Sequence, residues 1–350
     1  IEKEAYERAL KQPLLITSAR DKFRAPHFCD HILGKISPKQ KSRINSIITT
    51  LDASIQTKVE ILTLNHLEAL ESKNITNASV VILDNRTDAV LAMVGSKNFF
   101  DDSIDGQVNG AEALRQPGSA LKPFTYGLAL ENGKTAASLI DDRQMDFSTP
   151  TGSYSPRNYD RTYHGPVRLR TALACSYNVP AVYLLQEMGP DLLYRRLKKS
   201  GFESLSEPPG YYGVGLTLGN AEVTLMELVQ SYAALARGGM FRTSRVIESV
   251  FPDTSMTLEA PLPYRIYSKE VAYLLTHILS DNDARIPAFG YNSPLHLPFP
   301  CAAKTGTTKD YRDNWTIGWT KNFTVGVWVG NFNGDPMHNV SGISGCGPLF

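Results

Sequence analysis

Arg115-Gln116-Pro117-Gly118-Ser119-Ala120-Leu121-Lys122-Pro123-Phe124 sets the frame for the whole 350-residue chain. Pro117-Gly118 breaks whatever precedes it, and Pro123 is tolerated only in the first turn of a helix. The stretch therefore predicts a helix from about Ser119 to Asn132-Gly133, where the glycine is a good stop. Ser119 and Lys122 share one face of its first turn. A hydroxyl nucleophile with an amine base one turn away suits covalent catalysis. Burial, or a second cation nearby, would favour the neutral, proton-accepting form of Lys122. Helix-terminal N–H groups would favour oxyanion charge beside Ser119. Leu121, Phe124 and Leu128 recur at helical spacing, which marks the helix as buried. Taken alone, Ser-x-x-Lys also describes a surface serine and lysine on an ordinary helix, so its meaning depends on the rest of the chain.

Composition bounds that meaning. The chain is 42% hydrophobic and 20% charged with a formal net charge of +1, which suits a globular protein and gives no basic surface for nucleic acid. No apolar run reaches the ~18 residues of a membrane span. Cys29, Cys175, Cys301 and Cys346 are far apart and fix neither a disulfide framework nor a compartment. No signal peptide is visible, and the chain reads as an excised piece of a longer protein.

Along the chain, Ile1 to Leu10 has a charged helical pattern, and residues 35–45 are a basic linker. His27, Cys29 and His31 would share one face of a strand, but no fourth ligand or zinc spacing accompanies them, so no metal is expected. A strand from Ile47 to Leu51 precedes a helix from about Ser54 to Leu70, with Val59, Leu62, Leu67 and Leu70 at helical spacing. Residues 79–84 and 88–95 read as a hairpin. Two helical patterns between Val167 and Gly189 flank Cys175-Ser176-Tyr177-Asn178-Val179-Pro180. Pro180 there predicts non-helical geometry at Val179 and a tight connection carrying Ser176 and Asn178. Helices are predicted over 221–237 and from Ser268 to Leu279. The period then changes to strands, Ala302 to Thr307, Asn314 to Thr320 and Phe323 to Gly330. Strands at both ends with helices between them imply an α+β fold: one antiparallel sheet assembled from distant segments and flanked by helices.

Three short patterns form a set: Ser119-x-x-Lys122, Ser176-x-Asn178 and Lys304-Thr305-Gly306. Ser96-Lys97-Asn98, Ser280-Asp281-Asn282 and Lys199-Ser200-Gly201 fit the second or third pattern as well. Context separates them. Ser280 closes a helical run at what reads as a solvated end, and Lys199 to Gly201 reads as a helix C-cap. Lys304 to Thr307 lies in a strand, where Gly306 lets another backbone come close.

With these residues assembled, the chain resembles the transpeptidase region of class A penicillin-binding proteins, most closely the 1C type. Residues 115–124 resemble the family's nucleophile segment, Ser176 to Val182 its second motif, and Lys304 to Thr307 its third, followed by Tyr311 to Trp315. Similarity extends across most of residues 45–350. The resemblance implies a β-lactamase/transpeptidase-like fold with an all-helical subdomain at 46–350. Residues 1–45 would be the linker after a glycosyltransferase domain absent from this chain. It implies acyl transfer through Ser119, with Lys122, Ser176, Asn178 and Lys304 as catalytic groups. Thr305, Gly306 and Thr307 would bind substrate, and no metal or organic cofactor would be needed. The partners would be peptidoglycan stem peptides and β-lactams, on the extracytoplasmic face of a bacterial inner membrane reached only through an N-terminal anchor that these residues lack. A carboxypeptidase or a non-catalytic penicillin-binding sensor would use the same residues. A β-lactamase would need a carboxylate for its deacylating water, and no segment between Asn178 and Lys304 resembles that family's glutamate loop.

Overall fold

The period-two segments from the two ends of the chain meet in one sheet. The computed structural model describes residues 23–149, 152–252 and 261–350; the helical pattern of residues 1–10 lies outside them. Its elements, in order, are α1 (Pro26–Lys35), β1 (Ser46–Thr49), α2 (Ala53–Ala69), β2 (Asn77–Asp84), β3 (Val90–Val94) and α3 (Lys122–Glu131). They continue with β4 (Leu139–Asp142), β5 (Gly165–Arg168), α4 (Leu169–Ala174), α5 (Asn178–Met188), α6 (Pro190–Lys199), α7 (Leu225–Ala236) and β6 (Ile247–Phe251). α8 (Lys269–Leu279), α9 (Asn282–Phe289), β7 (Ala302–Thr307), β8 (Asp313–Trp319) and β9 (Phe323–Gly330) complete the fold, with a few short turns and bridges between them. The five long strands form an antiparallel sheet in the order β7-β8-β9-β2-β3, so β7 is an edge.

Both faces of the sheet are covered. On one, α7 and α8 pack over Trp315, Ile317 and Trp328, in a core that continues through Phe124, Tyr126, Phe202 and Tyr232 into the helices α4 to α6. On the other, α2 places Val59 and Leu67 against Val80, Val94, Val327 and Val329. Leu62, expected on that face, is 56% exposed instead. The sheet and α7 approach closely because Gly326 has no side chain: a Cβ there would overlap Val229 Cγ2 and lie 2.8 Å from Leu225 Cδ1.

Two local expectations change. His27 to His31 lie in helix α1, not a strand, so Cys29 is off the face that His27 and His31 share. His27 Nε2 meets Gly106 O at 2.9 Å, and His31 Nδ1 meets Glu112 Oε1 at 2.6 Å. Phe28 and Ile32 of the same helix enter the main core. Asn178, Val179 and Pro180 form the first turn of α5 rather than the connection before it. A first-turn proline removes only an N–H that has no intrahelical acceptor, so the preceding valine stays helical.

Gly326→Ala should lower stability by about 1–3 kcal/mol through overpacking, read as a lower urea midpoint with an unchanged slope. An unchanged midpoint would mean that α7 can move away at no cost.

Candidate active site

The turn that carries Ser119 is shaped by what it must fit between. Gly118 has φ +55°, and residues 118–121 form a 3₁₀ turn that runs directly into α3. A Cβ on Gly118 would lie 2.6 Å from Thr307 O; one on Gly306 would overlap Pro117 O; one on Gly219 would overlap Gly118 O. The nucleophile segment is thus packed backbone to backbone between strand β7 and the loop ending at Gly219, which only glycine permits. Its carbonyls are tied from the core. Trp315 Nε1 donates to Gln116 O (2.9 Å), Tyr232 OH to Ala120 O (2.6 Å) and Tyr267 OH to Phe124 O (2.7 Å).

Ser176 sits between α4 and α5 at φ +60°, uncommon for a residue other than glycine. That conformation aims both its oxygens at lysines. Lys122, fully buried, donates from Nζ to Ser176 O (2.6 Å) and Asn178 Oδ1 (2.7 Å), and lies 3.4 Å from Ser176 Oγ. Lys304, 2% exposed, donates to Ser176 Oγ (2.7 Å) and Thr305 O (2.8 Å). Burial holds the Lys122 amine well below its ordinary range, helped by the Lys304 charge and opposed by Asp142. Burial, with the Arg285 charge behind it, brings Lys304 down to about 7, against a small opposing contribution from Cys175. Two amines so lowered can hand protons to and from the hydroxyl between them.

Strand alternation puts Lys304 and Gly306 toward the Ser119 turn and Thr305 and Thr307 on the other face. Thr307 Oγ1 accepts the Gly342 N–H at 2.8 Å and keeps its own O–H to donate. Thr305 is 7% exposed. The three motifs are therefore brought together, and the look-alikes are not. Ser96 Oγ bonds Gly106 O (2.7 Å), and Ser200 caps α6. Ser280 ends α8, and Asp281 caps α9 while pairing with Arg170 at 2.8 Å. That helix end is an interhelical ion pair rather than a solvated terminus.

The motifs do not point to the groups behind Asn178. Asn158 Oδ1 accepts the Asn178 N–H (2.8 Å), and Arg157 O accepts the Asn178 side-chain amide (2.7 Å). Asn158 Nδ2 in turn meets both oxygens of the fully buried Asp142, each at 2.8 Å. Asp142 also accepts from His164, whose backbone N lies 3.0 Å and Nδ1 2.6 Å from Oδ2. The only cue in the sequence is that Asn158-Tyr159-Asp160 forms a polar loop ahead of Gly165. The described residues contain no cluster of metal-ligating side chains, and none of their helices is long and apolar enough to cross a membrane.

Comparison with known proteins agrees with this geometry. The family described as "Penicillin binding protein transpeptidase domain" matches residues 78–338. Penicillin-binding protein 1C of Escherichia coli K12 is 32% identical over 99% of this chain and 42% of its own length. Penicillin-binding protein 1A of Neisseria meningitidis serogroup A is 30% identical over 75% of this chain and 33% of its own length. The chain thus spans less than half the length of these relatives. Among solved structures, penicillin-binding protein 1A of Haemophilus influenzae superposes with a TM-score of 0.77 at 19% identity, over 100% of this chain and 73% of that one. The penicillin-binding protein PonA1 of Mycobacterium tuberculosis gives 0.74 at 22% identity, over 91% and 86%. These likenesses identify an α+β fold of the transpeptidase/β-lactamase type with a helical subdomain. Since the matched segment holds Ser119, Ser176 and Lys304 and covers most of the chain, the protein belongs to the penicillin-binding protein transpeptidase family.

Proposed function

We propose that this chain is a serine D,D-transpeptidase unit that cross-links peptidoglycan stem peptides ending in D-Ala-D-Ala and is acylated by β-lactams. The observation that carries this reading is the convergence on Ser176 of Lys304 and of Lys122, the lysine one turn along from Ser119. Ser119 Oγ attacks the carbonyl of the penultimate D-Ala while its proton passes to Lys122. The tetrahedral intermediate collapses with cleavage of the C–N bond. Ser176 passes a proton to the departing D-Ala nitrogen and is resupplied through the lysines. The amine of a second stem peptide then attacks the ester, gives up a proton to the same amines, and releases Ser119.

Several features support these roles. Asn178 orients the Lys122 amine, and its own amide is fixed by Arg157 O. The Ser119 and Thr307 peptides are adjacent, with the Gly118 Cβ position only 3.1 Å from Thr307 N. Their N–H groups form the proposed oxyanion hole, a device worth about 10²–10³ in rate per donor. Thr305 and Thr307, on the sheet-edge strand, receive the substrate's terminal carboxylate. The E. coli relative aligned over nearly the whole chain supports assignment to the 1C type. On this reading residues 46–350 are the penicillin-binding unit, residues 1–45 lead into it, and the domain works on the extracytoplasmic face of a bacterial inner membrane.

Intact-protein mass after incubation with a penicillin tests the proposal. The expected result is an adduct of one drug mass that Ser119→Ala abolishes while remaining folded; an adduct that persists in Ser119→Ala would place the nucleophile elsewhere. Lys304→Ala should slow acylation by about 10²-fold or more, and Lys199→Ala should not change it; equal effects would reject the choice of the 304 motif. A further expectation concerns pH and stability. Unfolded, Lys304 keeps its proton up to its ordinary value near 10.5; folded, only to about 7. Between these values the unfolded state binds more protons, so this group adds stability as pH rises from about 7. Above about 10 the buried tyrosines Tyr126 and Tyr267, held protonated by burial, work in the opposite direction. The buried thiols of Cys175, Cys301 and Cys346, also held protonated by burial, oppose it from about pH 9, so melting temperature should rise between about pH 7 and 8.5, and Lys304→Met should reduce that rise. A slope equal to that of the parent would show that Lys304 is not the group responsible.

A further inference from the structure

We propose that Asp142 and His164 are positioning residues for Lys122, acting through Asn158 and the start of α5 to hold the Asn178 side chain against the lysine amine. This inference rests on the acyl-transfer reading of Ser119 and Lys122. Neither residue touches the three motif side chains by a hydrogen bond, and neither belongs to a motif. His164 stacks on Tyr177, and Asp142 reaches the Asn178 backbone through Asn158.

The geometry is that of a closed bracket. Asp142 ends β4 with no exposed surface, which is costly for a carboxylate unless donors surround it. The donors are the Asn158 amide on both oxygens and the His164 backbone N–H and Nδ1–H on Oδ2. The other ring nitrogen, Nε2, lies 3.1 Å from Asp160 Oδ2 and 3.3 Å from Thr162 Oγ1, so the imidazole is held at both nitrogens. The ring lies flat on Tyr177, with centroids 4.1 Å and planes 12° apart. Tyr177 is the residue before α5, so the ring packs beside the start of that helix. Asn158, 4% exposed, spends Nδ2 on Asp142 and Thr162 O, which leaves Oδ1 for the N–H groups of Asn178 (2.8 Å) and Val179 (3.4 Å). If the Asp142–Asn158 contact were broken, the Asn158 amide would be free to turn. The first turn of α5 would lose its acceptor, and Asn178 Oδ1 its fixed place 2.7 Å from Lys122 Nζ.

The bracket also sets charge. Lys304 and Asp142 are the charged groups that act on Lys122. Those facing His164 are Asp142 and Asp160, with Tyr177 across the stack. A donor on Asp142 Oδ2 spreads that carboxylate's charge. Without it, Asp142 favours the Lys122 cation more strongly, and the neutral base appears at a higher pH.

Three variants separate positioning from bulk stability. His164→Phe keeps the ring stack and loses the side-chain donor. His164→Asn keeps a donor near the Nδ1 position. Asp142→Asn replaces the carboxylate and sets amide against amide at Asn158. The second-order rate of acylation by a fluorescent penicillin is measured from pH 6 to 10, with melting temperature as the fold control. His164→Phe should acylate about 10-fold more slowly, and Asp142→Asn about 100-fold, the range for partners that orient an essential group. His164→Asn should stay within about 3-fold of the parent. The rising limb of the pH profile should move to higher pH in His164→Phe but not in His164→Asn. If the two His164 variants match each other in rate and profile while both stay folded, the positioning role is overturned; this conclusion stands even if Asp142→Asn does not fold. If the parent chain takes no penicillin at Ser119, the acyl-transfer reading fails first and this inference with it. A parent that labels while all folded variants label equally fast overturns this inference alone.

Discussion

Two lysine amines buried beside one serine hydroxyl are the constraint around which the rest of this structure is arranged. Lys122 and Lys304 are almost without solvent, and neither makes a salt bridge among the described residues; their hydrogen-bond acceptors there are carbonyls, an amide oxygen and the Ser176 hydroxyl. A fully charged pair in such a setting would be costly, and the molecule relieves the cost by giving up protons. Everything that keeps water away therefore favours the neutral amines, which can accept a proton. That includes the wedge of residues 118–121 between β7 and the Gly219 loop, and the tyrosines that hold α3 in the core. Stability and chemistry share these contacts, which is why the same burial appears in the expected pH dependence of both.

Close approach of backbones is the second organising device. Gly118, Gly219, Gly306 and Gly342 each occupy a point where one chain segment rests on the peptide of another. Gly342 abuts Gly306 O from the side opposite the nucleophile turn, and its N–H and C=O engage Thr307 and Thr316. The edge strand is thus held between two segments that have no side chains at the contact points. Its position is set to the tolerance of a peptide bond rather than that of a rotamer.

Most of this was legible in the chain itself. The three strands after residue 300, the hairpin before residue 95, and the placing of Lys304 in a strand and Lys199 at a helix end all follow from periodicity and from where glycine falls. The errors have physical causes. Residues 27–31 mimic alternation because His27, Cys29 and His31 differ in chemistry from their neighbours, yet Pro26 at the first helical position starts a helix there. The proline after Val179 argues against helix at that valine, but a proline in the first turn imposes little. Leu62 lies outward because the face of α2 that packs on the sheet is narrower than its apolar content suggests. Asp142, Asn158 and His164 could not be found by spacing at all: they meet only after β4 and β5 pair and bring residue 142 beside residue 164.

The position of β7 at the end of the sheet has a consequence of a different kind. Beyond an edge strand lies a place where one more extended segment can pair through N–H and C=O groups alone. A peptide bound there is measured by its main chain, and main-chain atoms are present whichever amino acid the gene encodes. Selection against an inhibitor that imitates such a peptide cannot delete those contacts by substitution at Thr305 or Thr307. It would have to act from farther out, on the segments that hold the strand in place.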